Sequence, residues 1–184
     1  IDIGHPAHVH YIRPFFNLMR EKGHVFFISA RQKECSHELL DYYEIPYYNR
    51  GKGGKGLISK LLNLIITDIK LWLQAIRFKP DVFIGFSSPY LAHVSFLYHK
   101  PYIVCDDTEK NKLTQFFYRP FAKIIITPDC YQRKIGKKQI KVPSYFELFY
   151  LHPNYFKSDI SILKSLNIQE NEKYVILRFV SFHA

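Results

Sequence analysis

The chain has 184 residues, of which 47% are hydrophobic and 23% are charged, a balance that indicates a globular protein and excludes intrinsic disorder. Its 26 Lys and Arg residues outnumber its 16 Asp and Glu residues, and the net charge of +10 favours an anionic partner. The three cysteines lie far apart without metal-ligand spacing, and no secretory signal is visible, so we expect a reduced, cytoplasmic setting.

Short apolar segments alternate with helical patterns, which predicts an α/β fold: a Rossmann-like parallel sheet flanked by helices. The predicted strands are Ile1–Ile3, Val25–Ser29, Ile45–Tyr48, Val82–Phe86, Tyr102–Cys105, Ile124–Thr127 and Ile140–Val142. The predicted helices are Tyr11–Lys22, Lys33–Tyr43, Leu57–Phe78, Pro89–Tyr98 and Leu113–Phe121. The segment Tyr174–Val180 reads as a further strand, and we expect the chain to be truncated at both ends.

Polar residues follow most of the predicted strands. Because ligands of open parallel sheets bind beyond the carboxyl ends of the strands, these residues are expected to meet in one crevice. The segments that this places together are Gly4–His10, Arg50–Gly56, Ser87–Tyr90, Asp106–Glu109 and Pro128–Cys130.

The segment Gly4–His10 contains His5, His8 and His10 at the junction of a strand and a helix. Backbone N–H groups at such a junction attract anions, and a histidine there can act as a base or as a phosphate partner. Solvated or helix-capping histidines are the structural alternative. The glycine fingerprint of dinucleotide-binding proteins is absent.

The segment Asp106-Asp107-Thr108-Glu109 is typical either of general acid–base chemistry or of a divalent-cation site. A polar helix start, in which Asp and Thr cap the helix, explains the same residues without a catalytic role. The adjacent carboxylates of Asp106 and Asp107 would point apart in extended chain, so at most one of them is expected to face the crevice.

The glycine-rich segment that contains Arg50 and Lys52 is basic but lacks the P-loop pattern, which excludes a P-loop NTPase. A flexible basic loop and a phosphate contact both remain open for it. The aromatic residues fall at positions typical of strand and helix cores and do not alternate with basic residues, so nucleic acid is not the expected partner.

The stretches Asp2–His10, Cys105–Glu109 and Tyr150–Phe156 resemble an uncharacterised archaeal and bacterial family among the GT-B proteins. That group includes sugar-nucleotide glycosyltransferases and UDP-N-acetylglucosamine 2-epimerases. The resemblance implies the first half of a two-domain architecture, with residues 1–156 as the acceptor-side domain. Residues 157–184 would then be a linker and the first strand of the nucleotide-side domain, in which Ser181 is expected to bind substrate.

The resemblance also implies roles for single residues. His8 matches the histidine that deprotonates the acceptor hydroxyl in GT-B glycosyltransferases, although Pro6-Ala7 replaces the glycines that accompany it there. Asp106 and Glu109 would orient the acceptor or tune His8. Substrate contacts are expected from the surrounding polar residues, namely His5, His10, Arg50, Lys52, Ser87, Ser88, Asp107 and Thr108.

The expected activity is therefore glycosyl transfer from a nucleotide-activated sugar to a glycan or lipid-linked acceptor, in glycan or cell-envelope polysaccharide synthesis. No permanently bound cofactor and no metal ion are expected, because helix dipoles and basic groups can hold the nucleotide phosphates. Two alternatives remain: a sugar-nucleotide 2-epimerase in which Glu109 transfers a proton, and a non-enzymatic module that binds RNA or an acidic polymer.

The helix Leu57–Phe78 carries two apolar faces at a spacing of 100° per residue. We expect the broader face, centred on Ile58, Ile69 and Leu62, to pack on the sheet. The row Leu57, Leu64 and Leu71 then remains for a neighbouring helix or for an anionic membrane surface.

Overall fold

A computed structural model describes residues 1–54, 56–177 and 179 of the chain. The chain divides into two compact units, Ile1–His152 and Pro153–Ala184. Among the described residues, the first unit holds the sheet and six helices.

In the described residues of the first unit, strands and helices alternate as far as the last two strands, which follow one another directly. The strands are β1 Asp2–Ile3, β2 Ser29–Ala30, β3 Tyr48–Asn49, β4 Phe83–Phe86, β5 Tyr102–Cys105, β6 Ile124–Pro128 and β7 Gln139–Val142. The helices are α1 Pro6–Glu21, α2 Ser36–Tyr42, α3 Leu57–Phe78, α4 Pro89–Leu97, α5 Lys112–Tyr118, α6 Leu148–Leu151 and, in the second unit, α7 Ser161–Ser165.

The seven strands form one sheet in the order β3-β2-β1-β4-β5-β6-β7, and every pairing is parallel. α1 contacts α2 and α6, whereas α4 contacts both α3 and α5, so that the helices form two layers on opposite faces of the sheet. The predicted Rossmann-like fold is confirmed. The strand order reverses between β1 and β4, which makes their carboxyl ends the expected place for a ligand.

Each face of the sheet has its own hydrophobic core. Ile3, Val9 and Phe16 belong to the cluster beneath α1 and α2, whereas Leu71 and Val104 belong to the cluster beneath α3, α4 and α5. Burial of these side chains on both faces accounts for the apolar composition of the strands.

α1 begins five residues earlier than the sequence pattern indicated. His5 is its N-cap and accepts a hydrogen bond from the N–H of Ala7 at its Nδ1, and Pro6 occupies the first helical position, where no N–H is needed. His8 and His10 therefore lie on the helix itself.

The predicted packing of α3 is wrong. Leu71 is buried in the core and Leu64 is partly buried, whereas the broad apolar face expected against the sheet is exposed to solvent. The packed face also carries two polar residues: Thr67 is buried, and Asp68 bonds His93 of α4 at 2.7 Å. Helical periodicity groups residues into faces, but it does not tell which of two apolar faces the sheet covers.

In the second unit, α7 is preceded by Asp159, whose Oδ1 accepts a hydrogen bond from the N–H of Ser161. Of the predicted strand Tyr174–Val180, residues 174–177 and 179 are described and are not in a strand, and the other two lie outside the described residues. Within the described ranges, no helix is long and apolar enough to cross a lipid bilayer.

Candidate functional site

A polar cavity of about 350 Å³ opens at the carboxyl ends of β1 and β4, where the strand order reverses. We call it the β1–β4 cavity. It is lined by Asp2, Gly4, His8, Arg31, Arg50, Phe86, Ser87, Ser88, Pro89, Tyr90, Cys105, Asp107, Thr108, Asn111 and Thr114. The structure therefore brings four of the five expected segments together at one cavity.

A buried ion pair forms one wall of this cavity. The Nε of Arg50 donates to Oδ1 of Asp2 at 2.8 Å, and its Nη2 donates to Oδ2 at 3.3 Å. Ser29 and Ser88 each donate a hydroxyl hydrogen bond of 2.7 Å to the same carboxylate. Burial alone would raise the pKa of Asp2, but the charge of Arg50 and these hydrogen bonds outweigh it and hold the pKa below its ordinary value.

Arg50 is positioned from a second side as well, since its guanidinium lies 4.6 Å from the ring centre of Tyr90. An arginine fixed by a bidentate carboxylate and an aromatic ring presents its remaining N–H groups in one direction. Arg50 is thus a rigid donor at the cavity wall, although Asp2 already neutralises its charge.

The β4–α4 turn is shaped by close contacts. Ser87 has a left-handed backbone conformation (φ 50°), and Ser88 caps α4 by accepting a hydrogen bond from the N–H of Leu91. Tyr102 accepts a hydrogen bond from the N–H of Ser88 and donates one to its carbonyl. A Cβ at Gly85 would lie 2.9 Å from the Tyr102 hydroxyl, so this bracing of the turn requires glycine there.

His8 is the imidazole of the β1–β4 cavity. Its ring stacks on Phe86 with 4.5 Å between the ring centres, and its Nδ1 accepts a hydrogen bond from the N–H of Gly4 at 3.2 Å. Burial, followed by the influence of His5, lowers the pKa of His8 to about 3. The ring is therefore neutral at physiological pH, and because Nδ1 accepts a hydrogen bond, the proton resides on Nε2.

The other two histidines of the segment are not cavity residues. His5 caps α1, and His10 stacks on Tyr150 with 5.2 Å between the ring centres, close to the hydroxyl of Tyr43. Neither residue lines the β1–β4 cavity. The helix-capping alternative describes His5 in this structure.

Asp106 and Asp107 point in different directions. Asp106 is buried and receives hydrogen bonds from the side chains of Tyr118, Tyr131 and Gln115, and it does not line the β1–β4 cavity. Asp107 lines the cavity, and partial desolvation of its carboxyl group by the cavity walls, followed by the charge of Asp106, raises its pKa. Asp106 therefore has a structural role inside the protein, whereas Asp107 is accessible to a ligand.

Glu109 lies in a neighbouring polar cavity of about 350 Å³, which we call the β5–β6 cavity. Its lining residues are Asp107, Thr108, Glu109, Pro128, Cys130, Tyr131, Tyr145 and Glu147. The carboxylate of Glu109 accepts a hydrogen bond from the N–H of Gln132 at 2.9 Å. Glu109 and His8 therefore do not share a cavity, and Asp107 and Thr108 lie between the two cavities.

The remaining expected site residues divide as follows. Ser87 and Ser88 line the β1–β4 cavity, Lys52 is exposed and does not line it, and Ser181 lies outside the described residues. In the ranges that the structure describes, no group of three or more His, Cys, Asp and Glu side chains is arranged to hold a metal ion.

The structure adds residues that the sequence pattern did not single out, above all Asp2, Arg31 and Tyr90. Asp2 was detectable, because an acidic residue inside an apolar strand is seldom buried without a cationic partner. Cys105 also lines the cavity, but burial and the nearby carboxylates raise its thiol pKa to about 12, so it is no nucleophile at neutral pH.

The sequence matches a family model, whose description is "Protein of unknown function (DUF354)", over residues 1–183. An uncharacterized protein of Methanocaldococcus jannaschii is 26% identical over 186 residues, which are 97% of this chain and 54% of that protein. The chain thus spans about half the length of this curated relative.

Solved structures share the fold at low sequence identity. MurG of Acinetobacter baumannii has a TM-score of 0.60 and 15% identity, over 76% of this chain and 43% of that one. A UDP-GlcNAc 2-epimerase of Neisseria meningitidis, solved with UDP-GlcNAc bound, has a TM-score of 0.63 and 15% identity, over 94% of this chain and 54% of that one. At such identities the likeness establishes the fold alone, which is that of a GT-B domain.

Proposed function

The chain belongs to this family of proteins of unknown function, and from its fold and its cavity we propose that it acts on a nucleotide-activated sugar. The proposed reaction is transfer of the sugar to an acceptor hydroxyl, in the synthesis of a glycan or an envelope polysaccharide. The acceptor is a glycan or a lipid-linked sugar bound in the β1–β4 cavity.

One observation carries this proposal: a neutral imidazole, His8, faces a polar cavity at the sheet's switch point. The cavity offers Arg31 and the β4–α4 turn to an anionic group, and Asp107 to a hydroxyl. The likeness to MurG and to an epimerase solved with UDP-GlcNAc supports a sugar nucleotide as the substrate.

In the proposed step the acceptor oxygen forms a bond to the anomeric carbon of the sugar. The bond from that carbon to the phosphate oxygen breaks, and the nucleotide leaves with the electron pair, as a diphosphate from UDP- and GDP-sugars and as a monophosphate from CMP-sugars. His8 takes the proton of the acceptor hydroxyl. No metal ion and no permanently bound cofactor are part of this proposal.

Without a bound ligand, His8 is a poor base. Its lone pair at Nδ1 is engaged with Gly4, and its pKa of about 3 makes it a weak proton acceptor. A bound diphosphate would raise this pKa, since a nearby negative charge favours the protonated ring. We therefore propose that His8 becomes a competent base only when the donor is bound and the N–H of Gly4 has released Nδ1, which then takes the proton of the acceptor hydroxyl.

The test is turnover by the protein with UDP-, GDP- and CMP-sugars, measured as release of the nucleotide. His8→Gln should lower kcat by ~10²- to 10⁴-fold, the usual contribution of a general base. His24→Gln is the matched control, because His24 is exposed outside the cavity. Loss of less than about threefold in His8→Gln would contradict the role of His8 as the base.

A sugar-nucleotide 2-epimerase is the second candidate, favoured by the 94% of this chain that the Neisseria epimerase matches. In this alternative Glu109 would transfer a proton. Turnover in heavy water discriminates the two, because epimerisation through proton exchange labels the sugar carbon whereas glycosyl transfer does not. Glu109→Gln should abolish such labelling.

Salt-sensitive RNA binding without any turnover would instead favour a non-enzymatic binding module over both enzymes.

A further inference from the structure

The outer face of α3 is apolar over the whole length of the helix. Its 22 residues extend about 33 Å. Nine large apolar side chains on it are between 38% and 76% exposed, namely Ile58, Leu61, Leu62, Ile65, Ile66, Ile69, Trp72, Leu73 and Ile76. We call these nine residues the α3 face. A continuous apolar surface of this size marks an interaction site.

The exposed charged residues of α3 and its C-cap are all basic. Lys70 and Arg77 follow the apolar arc on one edge at helical spacing, and Lys60 and Lys79 are exposed near the two ends. The one acidic residue in the sequence of α3, Asp68, is turned toward α4 and bonds His93. The exposed side of α3 therefore combines apolar and cationic groups without a carboxylate.

We propose that the α3 face binds the surface of an anionic lipid bilayer, with the helix lying in the plane of the interface. The apolar side chains would enter the boundary between headgroups and acyl chains while Lys70 and Arg77 contact the lipid phosphates. Trp72 lies on this face, and tryptophan is the residue most suited to that boundary.

The same charges argue against a second copy of the chain as the occupant. A two-fold symmetric contact places one face against itself, so the cations of α3 would meet cations without an acidic residue of α3 between them. An anionic surface instead neutralises Lys70 and Arg77 as it covers the apolar side chains.

The neighbouring helices also expose apolar side chains. α4 exposes Phe96 and Leu97, and α5 exposes Leu113 and Phe116, in the same helical layer as α3. The chain leaves β3 at Asn49 and reaches the first turn of α3 through the segment that contains Arg50, so the α3 face starts at the sheet edge where the β1–β4 cavity opens. The membrane proposal stands on the α3 face and does not depend on the proposed sugar chemistry.

Sedimentation of the protein with two kinds of vesicle tests the proposal. One kind consists of phosphatidylcholine, and the other of equal parts of phosphatidylcholine and phosphatidylglycerol. We expect binding to the anionic vesicles, weakened by salt, and a blue shift of the tryptophan emission on binding. Trp72 is the single tryptophan of the sequence, so the emission reports the α3 face directly.

Three variants separate the contributions of apolar and charged side chains to vesicle binding. Leu62→Ser/Ile66→Ser/Ile69→Ser should raise the lipid concentration for half-maximal binding at least ~10-fold, since apolar burial supplies the attachment. Leu18→Ser/Tyr42→Ser/Leu151→Ser removes exposed side chains from the opposite helical layer and should bind as the parent does. Lys70→Glu/Arg77→Glu should remove the preference for anionic vesicles.

Several results would overturn the proposal. The absence of vesicle binding, equal binding to both kinds of vesicle, or equal loss in the two triple variants would show that the α3 face is not a membrane surface. A dimer that the α3 triple variant converts to a monomer, without lipid binding by the parent, would assign the face to a second copy. Circular dichroism of each variant verifies that it is folded.

Discussion

Two buried carboxylates, Asp2 in β1 and Asp106 directly after β5, differ in the charge of their partners. Asp2 meets the guanidinium of Arg50 as well as two serine hydroxyls, whereas Asp106 is surrounded by neutral donors from Gln115 and two tyrosines. The first arrangement fixes a cation at the wall of the β1–β4 cavity. The second holds the β5–α5 connection together without presenting a group to a ligand.

An acidic residue at a strand end therefore does not by itself indicate catalysis. In both places the carboxylate accepts hydrogen bonds from other side chains of the protein. In each place a neighbouring residue lines the cavity: Arg50 beside Asp2, and Asp107 beside Asp106. Removing the charge from each carboxylate by the same change to an amide therefore tests how different the two environments are.

Asp2→Asn should have the largest effect. The change leaves the Arg50 guanidinium buried without a counter-charge, and breaking one partner of a buried ion pair costs about 3–5 kcal/mol. Urea unfolding should show the free energy of unfolding reduced by about that amount. Unchanged stability in Asp2→Asn would show that water already reaches Arg50 and that the pair is not a rigid wall.

Asp106→Asn should have a smaller effect, about 1–2 kcal/mol, because the hydroxyl groups of Tyr118 and Tyr131 can rotate to accept a hydrogen bond from the new amide. The same urea experiment measures it. Destabilisation as large as that of Asp2→Asn would mean that a neutral set of donors depends on the negative charge as strongly as Arg50 does.

The sequence predicted the alternation of strands and helices and the convergence of polar segments at one sheet edge, since both follow from local patterns and from parallel topology. It could not predict which side of α3 packs, because both sides are apolar and the burial of Asp68 depends on His93, a partner 25 residues away. Likewise, the pairing of Asp2 with Arg50 joins residues 48 positions apart.

The roles within the polar segments were equally beyond local reasoning. Asp106, Asp107 and Glu109 are close in sequence, yet they face a buried network, the β1–β4 cavity and the β5–β6 cavity. The backbone after β5 decides these directions, and its shape depends on contacts with Tyr118, Tyr131 and Gln132. Composition shows that carboxylates are present, whereas tertiary packing decides which of them meets a ligand.

His8 differs from both carboxylates, because it is a group whose charged form the protein disfavours. Its pKa is about 3 in the folded protein against an ordinary value of 6.5, with burial as the main cause. Between these two pH values the unfolded chain binds a proton that the folded protein does not, so His8 makes the folded protein less stable as the pH falls from 6.5 toward 3. The slope from one such proton is at most about 1.4 kcal/mol per pH unit.

His8→Phe removes the titrating group and keeps an aromatic ring against Phe86. Urea unfolding at about pH 7 and about pH 5 should therefore show a smaller acid-induced loss of stability in His8→Phe than in the parent. The depressed pKa values of His5 and His10 affect both proteins alike and cancel in the difference. Equal acid sensitivity of the two proteins would show that His8 titrates normally, and a neutral imidazole in the β1–β4 cavity would then be ruled out below pH 6.5.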